Sequence, residues 1–416
     1  MSSPQEAANP ITLMGNCYWE NEVSVVELCG ESTNLGPMTE TAQLLASDRT
    51  SYDGAGDERR VDVSGDYAVI GVAGDDGAEG SSEGSVHVFV RSGGTWVWQA
   101  KLISPVPRAY ENVGYSVGIS GDYIAIGAIE SSIAGDGGSY LGTAYIFHRS
   151  GSVWTEQAQL YADDGIDSDF FGRAIDIHGD TVIVGANYAD AGSSVSGAAY
   201  IFTRSGTSWT QQQKLTPSDP FFEGIFAERL RFSDDGTSII ISAQRGGTWG
   251  ESDGSAYVFI WNGSSWVEEQ KLVNLDGDEY SGFGRMGVDI SGDTAIVGGD
   301  DKAWTFTRSG GVWSAGPVIE PAASHYSWGR GVAIQGAYIA IGGWRAGSNG
   351  WGAVATFYFT DGQWVEQETH ESSDTHSEQW FGQEVQFGDG VLIIGAPKAT
   401  VGGVTRVGAA YIFEGP

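Results

Sequence analysis

One spacing constrains this chain more than any other feature: a Phe followed seven residues later by a Trp, at Phe89/Trp96, Phe147/Trp154, Phe202/Trp209, Phe259/Trp266, Phe306/Trp313 and Phe357/Trp364. A seventh Phe, Phe413, has no Trp after it. Upstream of each Phe stands a β-branched run ending in Gly or Ser: Ile70-Gly71, Ile126-Gly127, Val184-Gly185, Ile241-Ser242, Val297-Gly298, Ile341-Gly342 and Ile394-Gly395. Four of these runs follow a Gly-Asp pair (Gly65-Asp66, Gly121-Asp122, Gly179-Asp180, Gly292-Asp293), which reads as a tight turn between two strands. A second turn, Arg-Ser-Gly or a variant, separates Phe from Trp, and six residues after Trp comes Leu102, Leu160, Leu215 or Leu272, with Ile319 and His370 in the matching places. Even spacing puts Trp and Leu on one face of a strand.

Each unit therefore reads as four strands, and no window carries the 3.6-residue apolar period of an amphipathic helix. Four-stranded repeats of this length imply an all-β, seven-bladed β-propeller of antiparallel blades. The last blade lacks its Trp strand. The segment before the first supplies one, because Leu44 lies six residues after Met38, which takes the Trp slot. The ring is thus expected to close through an N-terminal strand, which removes an open sheet edge. The propeller spans 38–416, and 1–37 form an N-terminal extension.

Composition fits this reading and narrows the function. The 63 Gly supply turns, and the hydrophobic share of 41% supplies cores. A formal net charge of -33 repels nucleic acid and anionic membrane surfaces. No apolar run is long enough to span a bilayer, and residues 1–8 show no export signal.

With these residues in place, the chain resembles the FG-GAP repeats that build the seven-bladed propeller of integrin α-subunits and of bacterial surface proteins. The FG pieces are Phe171-Gly172, Phe283-Gly284 and Phe381-Gly382, with variants Val113-Gly114, Trp328-Gly329 and Phe226-Ala227, and Asp57-Glu58 in the first blade. The GAP stands whole at Gly395-Ala396-Pro397 and in part at Gly127-Ala128 and Gly185-Ala186. The resemblance implies a non-catalytic binding or adhesion module, extracellular or at the cell surface, that engages a protein partner as a monomer or as part of a larger surface assembly. In one respect the chain departs from the family. The calcium loop of integrin-type repeats has no counterpart in short turns such as Ser64-Gly-Asp66 and His178-Gly-Asp180, which offer too few oxygens for Ca²⁺.

No catalytic constellation is recognisable: there is no Gly-x-Ser-x-Gly elbow and no HExxH helix, so the expectation is no enzyme, no cofactor and no metal. Asp48, Asp164, Asp219 and Asp276 recur four residues after the strand Leu and read as turn residues that accept backbone N–H bonds. Two denser groups stand apart. Asp163, Asp164, Asp167 and Asp169 offer the one crowded acidic loop in which calcium is conceivable. His370, Glu371, Asp374 and His376 imitate zinc chemistry in what reads as a polar loop. Cys17 and Cys29 flank a Val-rich stretch and read either as a local disulfide or as two free thiols, with a docking arm as a further reading. Asn262-Gly-Ser264 fits the glycosylation pattern, and the Trp of the repeat register belong to the core.

Ligands are expected on the face that carries the connections from second to third strand and from blade to blade. There the loop of blade five is cut to a turn at Asp300-Asp301, leaving a notch flanked by Trp249, Tyr280, Tyr326, Trp344 and Trp351. Exposed loop aromatics point to binding. A lectin-like propeller that stacks sugars on these rings is the alternative to a protein-binding module, and a purely structural surface or filament subunit is the third reading.

Overall fold

A computed structural model describes residues 37–48, 60–130, 141–190, 196–221, 224–246, 253–275, 281–322, 327–374 and 379–415. Its 28 strands form seven four-stranded antiparallel sheets, and six of these take their strands in chain order from the inside out. The seventh is composite. Its inner strands are Glu384–Gly388, Val391–Ala396 and Ala409–Glu414, and its outer strand is Thr39–Leu44, with Leu44 paired to Ala410 and Thr39 to Glu414. The sequence-based closure is therefore the observed one.

The core lies between blades. One cluster joins Ala174, Ile183 and Ile201 of blade three to Leu230, Ile241 and Tyr257 of blade four, and each other cluster likewise draws on adjacent sheets. The strand Leu is buried in every unit where it occurs, and Ile319 and His370 are buried in the same slot. The repeat Trp sit lower in the same seams: Trp154 meets Tyr67 of the preceding blade edge-on at 6.0 Å, and Trp209 meets Tyr123 at 6.0 Å.

The FG and GAP pieces are two sides of one contact. A Cβ on Gly127 would lie 2.1 Å from the carbonyl O of Gly172 in the next blade, and a Cβ on Gly342 would lie 1.9 Å from that of Gly382. Gly172 and Gly382 themselves take φ +93 and +85, a region that disfavours side chains. Backbones thus touch at the described junctions that carry this Gly: Gly71, Gly127, Gly185, Gly298 and Gly342 would each bring a Cβ within 2.5 Å of a carbonyl O in the next blade. Blade four is the exception, because Ser242 replaces the Gly and its Oγ accepts the Arg229 N–H at 3.0 Å. The facing segment, Phe283–Gly287, carries an added residue and joins its strand only at Val288.

A bulge recurs just before the Phe of the third strand, as between Val88 and Phe89 or Ile146 and Phe147, and again in the closing pair between Glu40 and Ala42. Bulges re-aim side chains. Gln99 and Gln157, the extra residues, accept the indole N–H of Trp154 and Trp209 in the following blade, each at 2.9 Å. The position three residues after the Trp therefore belongs to the repeat: it is Gln at 99, 157, 212 and 367, Gly at 316 and Glu at 269, where Glu269 accepts the Trp313 indole N–H at 2.9 Å.

Candidate functional site

The two faces of the ring use their charges differently. On the lower face, the Gly-Asp turn and the Arg-Ser-Gly turn of one blade meet through Arg91–Asp66, Arg149–Asp122, Arg204–Asp180 and Arg308–Asp293. Arg149 also covers the Tyr67 ring at 4.2 Å, and Arg204 the Tyr123 ring at 4.5 Å. At the periphery, Lys101, Lys214 and Lys271 reach Asp48, Asp164 and Asp219 at 2.5, 2.6 and 2.7 Å, tying each outer strand to the loop before its blade. The recurrent Asp accept backbone N–H bonds as expected, and their carboxylates in addition take a neighbouring Lys; Tyr257 also donates to Asp219 at 2.8 Å. Burial opposes charge at all three Asp, but the Lys partner wins and holds them below the usual carboxylate range. Asp276 lies outside the described residues.

The central channel holds a buried charge cluster. Asp62, Asp176 and Asp289, on the inner strands of blades one, three and five, each accept their next residue's N–H and one from the following blade: Ile119, Phe232 and Ile334, all at 2.8 Å. Arg231, from blade four, lies 3.8 Å from Asp176 and 3.5 Å from Glu384. Burial pushes the carboxyls of Asp62 and Asp289 up to about 7. It also works against the Arg231 charge, but the surrounding carboxylates outweigh it and hold the guanidinium protonated. These groups latch alternate junctions.

The upper face carries a pocket of about 220 Å³ over blades two to four, lined by Ile129, Phe170, Tyr188, Ile225, Arg173, Asn187, Glu228 and Gln244. Its origin is positional. Ile129, Asn187 and Gln244 stand two residues after the GAP-type Gly or Ser, and Phe170 and Ile225 stand just before the FG, with φ +55 and +52. That backbone turn recurs at Asn112, Gly282, Ser327 and Trp380, so the conformation belongs to the repeat while the side chain varies. Within the pocket, Arg173 forks onto Glu228 through Nε at 3.1 Å to both oxygens, Asn187 Nδ2 donates to Glu228 at 2.7 Å, and Asn187 Oδ1 has no partner. Arg60 and Arg173 sandwich Tyr115 at 5.1 and 4.8 Å. Phe170 and Tyr188 meet edge-on at 5.5 Å and form an aromatic wall. Nearby connections of blades one to four expose Val106, Tyr110, Ile166, Tyr188 and Phe221.

The blade-five loop is the tight turn expected, closed by the Gly299 N–H on Lys302 O at 3.1 Å. Of its flanking aromatics, Trp249, Tyr280 and Tyr326 lie outside the described residues. Trp351 is half-buried beside the third strand of blade six, and Trp344 turns toward blade seven, packing edge-on against Trp380 at 4.8 Å. Sequence reading missed Trp380 and the pocket residues; their shared offset from FG and GAP was the available signal. Cys17 and Cys29 also lie outside the described residues.

The zinc-like group does not assemble in a loop. His370 ends the outer strand of blade six and stacks on Phe413 at 5.0 Å, Glu371 accepts from Ser348, and Asp374 accepts from Tyr411 at 2.9 Å; His376 is not described. In the acidic loop, Asp164 is held by Lys214, and Asp169 accepts the Ile166 N–H at 2.9 Å. Asn262 caps its own hairpin turn, accepting the N–H groups of Ser264 and Ser265, both at 3.0 Å.

Asp48, Asp75 and His87 bring ligand atoms within 4.8 Å of one another, but the Lys101 ammonium lies between the carboxylates, 2.5 and 2.6 Å away. A metal would have to displace it. Ser85 Oγ lies 3.3 Å from His87 Nε2, a pairing reminiscent of a nucleophile and its base. The Trp98 indole donates to His87 Nδ1 at 3.1 Å, however, so the neutral ring keeps its proton on Nε2 and has no lone pair for Ser85. Burial pushes His87 down to about 4, which keeps it neutral.

Among the described residues no helix is long and apolar enough to cross a membrane. No curated protein matches the chain. The FG-GAP repeat family matches six segments, 38–89, 96–147, 154–202, 209–259, 266–312 and 364–413. Each match except the fifth runs from an outer strand to the third-strand Phe of the next blade; between the first five matches only the six-residue turns from Phe to Trp are left out, whereas the longer stretch 313–363, which holds most of blade six, also falls between matches. Together these segments cover well over half of the chain, and it belongs to the FG-GAP repeat family.

Proposed function

We propose that the protein is a non-catalytic binding module, working outside the cell or at a cell surface, that holds a protein partner against its upper face. The observation that carries this reading is the pocket over blades two to four: an aromatic and aliphatic rim of Phe170, Tyr188, Ile129 and Ile225 over a polar floor of Arg173, Glu228, Asn187 and Gln244. Tyr188 is exposed, Phe170 and Ile225 are half-buried, and Glu228 and Asn187 below them are buried; an aromatic and aliphatic rim around a desolvated polar centre is the composition of an anchoring site for a partner's side chain. On the lower face the recurring Arg and Asp are spent on each other.

A displayed peptide library selected on the folded protein tests the reading. Selected peptides should bind the parent and lose at least tenfold in affinity on Tyr188→Ala, with an unchanged melting temperature, and on Glu228→Gln under conditions where that variant is folded. Peptides that bind all three proteins equally would move the site elsewhere. A glycan array run in parallel addresses the lectin alternative: sugar hits that vanish on Trp351→Ala would favour it over a protein partner.

A further inference from the structure

The hairpin turn between the third and outer strands of blade four departs from the repeat at two adjacent positions. In blades one, two, three and five this turn opens with Arg-Ser-Gly, and the Arg pairs with the Gly-Asp turn of its own blade: Arg91, Arg149, Arg204 and Arg308 with Asp66, Asp122, Asp180 and Asp293. Blade four reads Trp261-Asn262-Gly263-Ser264 instead, and the strand register keeps Trp261 opposite Trp266 as Arg204 stands opposite Trp209. No Arg is needed there, because Asp235 in the neighbouring turn already accepts from Ser233 Oγ at 2.6 Å and from the Thr237 N–H at 3.0 Å. Blade six also carries an aromatic in the Arg slot, Phe359, but that ring is half-buried and Thr360 and Asp361 follow it. Blade four alone places an exposed indole before an Asn, with Trp261 47% exposed.

Among all Asn of the chain, Asn262 alone stands two residues before a Ser or Thr, the spacing that marks an acceptor of N-linked sugar. The folded turn divides the Asn262 amide between two tasks. Its Oδ1 accepts the N–H groups of Ser264 and Ser265, both at 3.0 Å, and the Ser264 hydroxyl at 2.9 Å, so the oxygen holds the turn. Its Nδ2 donates to Ser265 Oγ at 3.3 Å, a long bond that needs one of its two protons. The other proton can be replaced without disturbing the turn. Asn262, Gly263 and Ser264 are exposed, and a Cβ on Gly263 would meet nothing within 4 Å among the described residues, so a bulky group on Nδ2 has room outside the ring.

We propose that Asn262 is the attachment site of an N-linked glycan and that Trp261 is the pad on which its first sugar rests. In the transfer, Nδ2 forms a bond to C1 of a sugar carried on a lipid diphosphate; the C1–O bond to the diphosphate breaks, its electron pair leaves with that oxygen, and Nδ2 gives up one proton. Nothing is oxidised or reduced. A pyranose has an apolar C–H face, and an exposed indole on the adjacent residue offers it area to cover. The site rests on the protein working outside the cell, as in the function proposed for it, because Asn of this pattern are modified in secreted chains. A glycan on the lower face leaves the upper pocket open to its partner.

The test is translation of the full chain, behind a cleavable leader, into mammalian microsomes, with protease protection marking the translocated chains. These should run as a single larger species that reverts on treatment with peptide-N-glycosidase, which leaves Asp at position 262. Asn262→Gln and Ser264→Ala should each abolish the shift, whereas Ser265→Ala, in the same turn but outside the pattern, should keep it. In the glycoprotein secreted from mammalian cells, the N-acetyl methyl resonance of the attached N-acetylglucosamine should lie upfield under the Trp261 ring current and return to the free-sugar position in Trp261→Arg, which restores the residue of the other blades. Peptides selected on the upper pocket should bind equally with and without the glycan, so the two sites fail separately. Protease-protected chains without a shift, or a shift that survives Asn262→Gln, overturn the attachment site; a methyl resonance identical in the parent and in Trp261→Arg overturns the pad.

Discussion

The lower and upper faces of the ring are built from the same seven repeats, yet they differ in what repetition is used for. Below, the same residue types return in blade after blade and bond to each other: Asp122 with Arg149, Asp180 with Arg204, Asp66 with Arg91. Above, the backbone conformation returns while the side chains change, from Phe170 to Ile225 to Trp380 at one position and from Ile129 to Asn187 to Trp344 at another. Residues that recur hold blades together, and residues that vary on a constant backbone are released from that duty. In this molecule a functional residue is therefore recognised by breaking the repeat where the fold keeps it.

The largest blow to this division should come from the closing strand. Removing residues 1–46 takes away Thr39–Leu44 and exposes the third strand of blade seven, so cooperative unfolding should be lost or aggregation appear, whereas removing 1–37 should leave the melting temperature within a few degrees. Comparable transitions for both truncations would show that the ring does not depend on this strand.

Next in size should be Gly127→Val, which drives a side chain into the Gly172 carbonyl. Overpacking of this kind costs about 1–3 kcal/mol, read by denaturant unfolding. Gly151→Ala, in a lower-face turn with open space around it, should cost less, reflecting only its φ of +65. If the order of the two is reversed, close backbone approach is not what the GAP glycine serves.

The channel predicts a pH dependence that neither face shares. The raised carboxyls of Asp62 and Asp289 bind protons in the folded chain that the unfolded chain has released. Their contribution to stability is full below about pH 4 and is lost as pH rises through about 7. The melting temperature should fall by roughly 5 °C between pH 5 and pH 8. Asp48, Asp164 and Asp219, held low by Lys, act in the opposite sense only near pH 4 and below. Scans in high salt separate the channel from the overall charge, because salt screens the surface far more than the buried cluster. A slope that disappears in salt would assign the effect to the surface.

Smallest in stability should be single truncations on either face. Arg149→Ala should cost about 1 kcal/mol or less, since its partner Asp122 is half exposed. Tyr188→Ala should change stability by still less and yet weaken binding of the selected peptides at least tenfold. A large loss of stability with Tyr188→Ala would place it among the residues that hold the ring.

Much of the fold was legible because its signals are local. Phe, Trp and Leu fall at fixed short spacings, and a period-two pattern states which side of a strand each occupies; even the closing strand showed itself through Leu44. The contacts between blades were less legible. Lys214 and Asp164, or Ile119 and Asp62, are separated by a whole repeat, and no spacing within a unit announces that they meet. In the sequence His370 reads both in the Leu slot of an outer strand and among the polar residues that follow; the structure keeps the first reading, with Phe413 as its aromatic neighbour. The pocket stayed hidden for a related reason: it is lined by three blades, and each contributes residues that look unremarkable in their own repeat. The recurrent Asp were seen, but their partners were not.

Blade seven is shared between the two ends of the described chain, since Leu44 pairs with Ala410. On a ribosome that pairing has a schedule. Thr39–Leu44 emerges early and then waits while more than 360 residues follow, which at about 5–20 residues per second means roughly 20–70 s without its partner strand. During that interval six blades can stack as an open arc with two raw edges, and the last step in maturation is the meeting of its ends. A cell making this protein must therefore protect an unfinished edge for most of a minute, and crowding of nascent chains on one message, rather than weakness in any blade, becomes the moment of greatest risk for one chain's early strand to complete another chain's ring.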